Sequence, residues 1–305
     1  MQVIDFKTLT PADKPLYDRF LMEGPPRGCE YSFANLYLWG RQMGTVLGGR
    51  LVLFSRFSGK SVYPFPVGDG PLEPVVEALV EDARERGIPF CMTGLVGDEK
   101  EVLERLYPGK FRFICARDTF DYVYNIDDLA ELRGKKLQKK RNHLNRFLAA
   151  HPNWHTEPLS GENAAQVMDF VENWYAGRLR EDPEGDYAME RRALTGALEH
   201  REALGMEGLL LWDGDTLLAV TLGNPLSRDT FDVNFEKARA DVDGAYTAIN
   251  WAFARYIRDR HPAVRFLNRE DDLGIEGLRK AKLSYKPHHL VEKCWACLKE
   301  DGCDD

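Results

Sequence analysis

Seven basic residues crowd one short interval of the chain: Arg133, Lys135, Lys136, Lys139, Lys140, Arg141 and Arg146. No Asp or Glu occurs from residue 133 through residue 156, although the formal net charge of the whole chain is −8. On a helix, Lys135 and Lys139 repel at i,i+4 spacing, as do Lys136 and Lys140. Charge confined in this way focuses a positive field. The chemistry it suits is anion binding, to an RNA backbone, a nucleotide phosphate or an anionic lipid headgroup, with Asn142 as a polar partner in the same run. Such phosphate contacts add affinity without reading sequence. The plain alternative is a solvated helix face. Leu137, Leu144 and Leu148 fall together on the other side and would pack inward.

Two further groups lie downstream. Asn234-Phe235-Glu236-Lys237 and Asn268-Arg269-Glu270-Asp271-Asp272 each stand at the C-terminal end of a strand-like run. In open α/β sheets that edge binds ligands. Glu236 or Glu270 there can accept a proton from an attacking amine. Lys237 and Arg269 would otherwise serve only to neutralise them.

The elements that position these groups can be read from periodicity and punctuation. In the second half, residues 154–159 read as a strand, 163–178 and 186–204 as helices, and 208–212 as a strand. An Asp213-Gly214-Asp215 turn and a returning strand over 216–222 make a hairpin. A strand at 229–235, a helix at 244–260, a strand at 264–267, a helix at 275–283 and a final strand at 289–298 follow. The first half repeats nearly the same order, with strands at 3–9, 44–47, 50–57, 61–66, 89–93 and 111–116 and helices at 11–21, 33–38, 71–86 and 98–106. This predicts a duplicated α/β (α+β) unit with two mixed central sheets flanked by helices. Its expected parts are an N-terminal domain at 1–120, a connector with the basic helix at 121–152 and a C-terminal domain at 153–305.

Composition sets the outer limits. With 305 residues, 44% hydrophobic and 30% charged, the chain reads as globular and water-soluble, and either half can bury a core. The N-terminus has no apolar segment of a secretory signal, and no run approaches the ~20 apolar residues needed to span a bilayer. Cys29, Cys91, Cys115, Cys294, Cys297 and Cys303 are scattered, which fits free thiols in a reducing cytoplasm. Cys294-Trp-Ala-Cys297 has ligand-like spacing, but in a strand these two positions face opposite sides and no second such pair exists, so no metal site is expected.

The element order resembles that of GNAT acyltransferases. Leu278 to Val291, LRKAKLSYKPHHLV, resembles the junction of helix 4 and strand 6 in those domains. The segment from Phe120 to Leu129 and the following KKLQKKRNHLNR, with Arg141-Asn142, resemble the link between the two GNAT units of Fem-type aminoacyl transferases. Together with FEKA from Phe235, GAYTAIN from Gly244 and FLNREDDLG from Phe266, nearly the whole chain is similar to the soluble phosphatidylglycerol lysyltransferase C-terminal-like family.

The resemblance implies an acyltransferase needing no cofactor, with aminoacyl-tRNA as donor and a small amine, hydroxyl compound or peptide as acceptor. Lys280 and Lys282 match a Lys-x-Lys of the lysyltransferase relatives, where the GNAT acid is usually a Tyr. An ammonium there can stabilise the oxyanion and protonate the leaving alkoxide; lysines near a helix C-terminus also favour its dipole. Tyr285 follows, at the position of a usual Gly-Phe pair, and Asn234, Asn268, Gly244 and Tyr246 line the expected substrate side. The pyrophosphate loop of acyl-CoA enzymes is only partly matched. Arg239, Gly244 and Ala245 are present, but Val242 replaces a Gly, and Asp241 and Asp243 add negative charge. Acyl-CoA-dependent N-acetylation and a silent RNA- or nucleotide-binding module are the alternatives.

Overall fold

A computed structural model of the protein describes residues 3–24, 27–39, 42–57, 59–181 and 187–301. Two compact units emerge. One comprises Met1–Asp121, Asp271–Gly274 and Leu290–Asp305, and the other Tyr122–Glu270 and Ile275–His289.

The strands of the first half are β1 (Lys7–Thr8), β2 (Met43–Leu47), β3 (Arg50–Phe57), β4 (Lys60–Pro64), β5 (Val67–Gly68), β6 (Cys91–Leu95) and β7 (Phe111–Ile114). The rest are β8 (Asp121–Asn125), β9 (Trp154–Pro158), β10 (Glu207–Asp213), β11 (Thr216–Pro225), β12 (Thr230–Ala238), β13 (Phe266–Asn268), β14 (His289–Val291) and β15 (Cys294–Leu298). One sheet has the order β1-β2-β3-β4-β6-β15-β7, with β5 paired to β3. The other runs β14-β8-β13-β12-β11-β10-β9. Both are mixed: β4 pairs with β6 in parallel, as β12 does with β13.

The order also corrects the expected domain boundaries. The run at 289–298 is two strands rather than one, and they enter different sheets: β14 ends the second, while β15 lies between β6 and β7 in the first. Conversely, β8, expected in the connector, is an interior strand of the second sheet between β13 and β14. The expected boundary at 120 thus falls between the sheets, one residue from the end of the first unit's opening run, whereas a boundary at 153 parts β8 from its sheet and a domain at 153–305 takes in β15 of the first. The physical reason is burial. Tyr122, Val123 and Tyr124 are all but inaccessible, which requires a strand covered on both faces. Lys293, in the break between β14 and β15, is itself buried on the Asp121 carboxylate at 2.7 Å.

The first unit's core is aromatic and aliphatic, with Val52, Phe54, Tyr63, Phe90, Met92 and Phe111 from the sheet closed by Val75, Val76 and Leu79 of the helix Leu72–Arg86. In the second unit the helix Ala245–Arg260 buries Ile249, Ala252, Phe253 and Ile257. It packs on β10, β11 and β12 and on the helices Ile126–Glu131 and Gln138–Ala150. The last of these is the basic helix, preceded by a 3-10 turn at Lys135–Leu137. Leu137, Leu144 and Phe147 are its buried anchors. Gly244 begins the long helix at φ 84°, and a Cβ there would stand 3.0 Å from the His143 carbonyl oxygen of the basic helix. Glycine is thus required both by the left-handed backbone and by the close approach.

The cysteines differ from expectation. Cys91 pairs with Cys297 and Cys115 with Cys294 as disulfides. β15 lies between β6 and β7, so its two cysteines reach opposite neighbours. Four thiols expected to be free are therefore bonded, and a reducing compartment no longer follows from the cysteine pattern. Cys303 lies outside the described residues. No described helix is long and apolar enough to cross a membrane.

Candidate functional site

β12 and β13 run parallel over three registered pairs, ending at Asp232 and Asn268. β13 stops there, while β12 continues to Ala238 along β11. A register shift at Leu222/Gly223 helps β12 turn away, and a Cβ on Gly223 would stand 2.0 Å from the Asp232 carbonyl oxygen. The shift leaves Asn234 as the extra residue of a bulge, between Asp232 and Glu236 on β12. Arg269, the residue directly after β13, enters the opening from the other side.

Arg269 Nη2 donates to Glu236 Oε1 at 2.8 Å, and both side chains are almost wholly buried. Burial alone would lower the Arg269 pKa, yet the Glu236 carboxylate and the Tyr124 and Tyr285 phenols outweigh it and hold it above the usual value. The guanidinium lies 5.0 Å from the ring centroid of Tyr285 and 5.7 Å from that of Tyr124. Among the described residues its Nη1 has no partner. Asn250, on the helix Ala245–Arg260, donates through Nδ2 to Glu236 Oε2 at 3.4 Å, and its Oδ1 has no partner among the described residues. Tyr285 donates to Thr247 Oγ1 at 3.4 Å, and burial raises its pKa.

Lys140 completes the cluster. Its Nζ lies 3.9 Å from the centroid of the Tyr285 ring. Burial pushes its pKa down to about 8, and the Arg269 charge works in the same direction. Lys140 is thus an amine that exchanges its proton near neutral pH, held beside a buried guanidinium.

The other residues of the basic run have separate partners or face solvent. Lys136 meets Asp128 at 2.9 Å, and Arg146 meets Asp243 at 3.1 Å. Arg141 donates to the carbonyls of Leu132 and Gly134, tying down the turn before the helix. Lys135, Lys139 and Asn142 are exposed. The acids missing from the local sequence come from elsewhere in the fold for Lys136 and Arg146.

The paired lysines part company. Lys280 is exposed and bonded to Glu276 at 2.5 Å, one helical turn away. Lys282 is buried, and its Nζ donates to the backbone carbonyls of Arg269 at 2.5 Å and Glu270 at 3.2 Å. Lys282 therefore shapes the loop that presents Arg269. Glu270 sits in that loop at φ 56°, its N–H bonded to Asn268 Oδ1 at 2.8 Å and its carbonyl accepting from Tyr122.

Asn234 donates to Asp232 at 3.1 Å. Lys237 faces away from Glu236, with its Nζ 2.7 Å from Glu190 and 4.3 Å from the Trp174 ring. Arg239 is held by both oxygens of Asp241, at 3.0 and 2.7 Å. Tyr246 is partly exposed, and burial of the rest raises its pKa.

Tyr124, Thr247 and Asn250 escaped the sequence reading. The usable signal was two polar residues, Thr247 and Asn250, three apart on the buried face of an otherwise apolar helix.

The sequence model described as phosphatidylglycerol lysyltransferase, C-terminal, matches residues 23–297. The chain belongs to this family. A solved structure of a conserved protein of unknown function from Bacteroides thetaiotaomicron is 40% identical, covering 97% of this chain and 100% of that one, with a TM-score of 0.93. L-PGS from Bacillus licheniformis shares the fold at 14% identity and a TM-score of 0.70, over 96% of this chain and 93% of that one. FemX does so at 11% identity and 0.60, over 97% of each. An uncharacterised protein of Mycoplasmoides gallisepticum is 23% identical over 65% of this chain, which spans 62% of that protein's length. The architecture is that of a tandem GNAT-like fold, and the family is of the acyltransferase type.

Proposed function

We propose that this chain transfers an aminoacyl group from aminoacyl-tRNA to a small amine, hydroxyl compound or peptide, with no cofactor. The observation that carries the reading is Lys140, whose Nζ lies 3.9 Å from the Tyr285 ring that Arg269 also faces at 5.0 Å, with burial pushing its pKa down to about 8. In its neutral form Lys140 takes the proton the acceptor loses as the acceptor N or O bonds to the ester carbonyl carbon. The carbonyl oxygen becomes an oxyanion, facing the unpartnered Nη1 of Arg269. As the bond to the tRNA ribose oxygen breaks, Lys140 returns the proton to that oxygen. The acyl–oxygen bond is exchanged for an acyl–acceptor bond, and one proton moves from acceptor to ribose. Glu236 orients Arg269, and Lys282 holds the loop on which Arg269 stands.

The donor preference follows from the turn before the helix Ala245–Arg260. Arg239 is already bound to Asp241, and Asp243 adds another carboxylate where a CoA pyrophosphate would need donors. Exposed Lys135 and Lys139 instead offer charge to RNA phosphates. An aminoacyl-tRNA donor implies action in the cytoplasm, and the two disulfides are the observation weighing against that compartment.

The test is donor binding. Calorimetry with charged total tRNA and with acetyl-CoA should show binding of the former, weakened by salt. Tight acetyl-CoA binding with none to charged tRNA would reverse the assignment.

A further inference from the structure

β15 turns one cysteine to each neighbouring strand. Cys297 stands directly opposite Cys91 of β6. The register that sets Trp295 against Ile114 puts Cys294 opposite Cys115, just past the end of β7. The two disulfides differ in access. Cys91 and Cys297 are 7% and 2% exposed, whereas Cys115 is exposed and Cys294 half-buried. Thiol–disulfide exchange requires a thiolate to reach a sulfur, so access separates the two bonds.

The two ends of the exposed bond are held unequally. On the Cys294 side, the preceding Lys293 is buried, with Nζ 2.7 Å from Asp121 and 3.0 Å from Glu30. On the Cys115 side, the strand ladder ends at Ile114 and the next buried residue is Phe120. None of residues 115–119 between them is buried. Arg117 and Asp118 belong to this run. Arg117 Nη1 faces the buried Asp272 carboxylate at 3.5 Å, and a Cβ on Gly274 would stand 2.9 Å from Asp118 Oδ2. Asp272 and Gly274 lie in the loop that follows Arg269 and Glu270. There the Gly274 N–H donates to Asp272 Oδ1 at 3.0 Å and the Leu273 N–H to Asp271 Oδ1 at 3.2 Å.

We propose that Cys115–Cys294 is a redox switch: small thiols of the glutathione type open it while Cys91–Cys297 stays closed, and opening loosens the hold of residues 115–119 on the loop 271–274. The proposal is independent of the transfer reaction. A thiolate attacks the exposed Cys115 sulfur, and the S–S electron pair leaves on Cys294 Sγ, which takes a proton from water. A second thiolate attacks the small-molecule sulfur of the mixed disulfide and releases Cys115, which is protonated in turn. Two small thiols are oxidised to one disulfide, and one protein disulfide is reduced to two thiols.

The test incubates the whole protein in a glutathione buffer at cytosolic poise, alkylates free thiols and maps them by mass spectrometry, with an untreated sample alongside. Cys115 and Cys294 should be labelled only after treatment, and Cys91 and Cys297 in neither sample. Amide exchange at Leu273 and Gly274 should then be at least about fivefold faster than in the untreated protein. Cys115→Ser should show the faster exchange in both conditions, with Cys294→Ser in its place if thermal melts show that it does not fold. Opening of Cys91–Cys297 together with or before Cys115–Cys294 overturns the proposal, as does a Cys115–Cys294 bond that the buffer leaves closed. Labelling of Cys115 and Cys294 before treatment also overturns it. So does exchange at Leu273 and Gly274 that stays unchanged once the bond is open or the cysteine replaced.

Discussion

Replacing Lys140 with methionine should stabilise the protein at neutral pH and abolish its chemistry. Methionine keeps the length and packing of the side chain but removes the charge. In the fold Lys140 titrates at about 8 instead of the ordinary 10.5, because burial and then the Arg269 charge oppose protonation. At about 1.4 kcal/mol per pH unit the displacement has an upper bound of about 3 kcal/mol. Lys140 is only partly buried, so solvent screening cuts this to about 1–2 kcal/mol. Attraction of the ammonium to the Tyr285 ring, at 3.9 Å, offsets about 0.5–1 kcal/mol. The net expectation is a gain of about 1 kcal/mol for Lys140→Met at pH 6.5.

The sign fixes the pH window. Below pH 8 the lysine is protonated both folded and unfolded, and the penalty is complete. Between about 8 and 10.5 the unfolded chain binds more protons, so wild-type stability rises with pH and the advantage of the variant shrinks. Urea unfolding of both proteins at pH 6.5, 8 and 9.5 measures this. A variant less stable than wild type at pH 6.5 by more than about 1 kcal/mol, or a pH-independent difference, would refute the placement of Lys140 as a strained cation. In parallel, wild-type transfer should rise with pH through about 8, and the variant should lose about 10²- to 10⁴-fold in rate with that limb absent.

Arg269→Leu leaves the buried Glu236 carboxylate without its cation and should cost about 3–5 kcal/mol in chemical unfolding, whereas Arg269→Leu combined with Glu236→Gln should recover much of that loss. Lys280→Ala, on an exposed side chain, should leave transfer and stability within about 0.5 kcal/mol of wild type, whereas Lys282→Met should lower both by releasing the carbonyls of residues 269 and 270. Thiol labelling of protein unfolded without reductant should leave Cys91, Cys115, Cys294 and Cys297 unmodified, and reduction should lower stability by about 2–4 kcal/mol; labelling of all four would remove both disulfides.

Much of the fold was legible because hydrophobic periodicity is local. The helix at Ala245–Arg260, the β10–β11 hairpin and the buried leucines of the basic helix all follow from spacing along a few turns or strands. The partner of a strand is not local. Nothing in the run at 289–298 says that its first residues pair in one sheet and its last in the other. The same limit split the lysines. Lys280 and Lys282 differ by two positions, about 200° around a helix, so one reaches solvent and the other the interior.

From the sequence alone came the family, the mixed α/β class, the basic helix and the presence of Glu236, Arg269, Lys140 and Tyr285 among the candidates. Residue type and short-range spacing determine those features. Only the tertiary structure decided which candidates meet. Lys140 and Tyr285 are 145 positions apart, and Glu236 and Arg269 are 33 apart. Charge, too, changed meaning on folding: Asp128 and Asp243 neutralise part of a run that carries no acid of its own, while Lys140 becomes partly buried and loses much of its basicity. Basicity depends on solvation and on neighbouring charges, and both are properties of packing, which an isolated segment does not have.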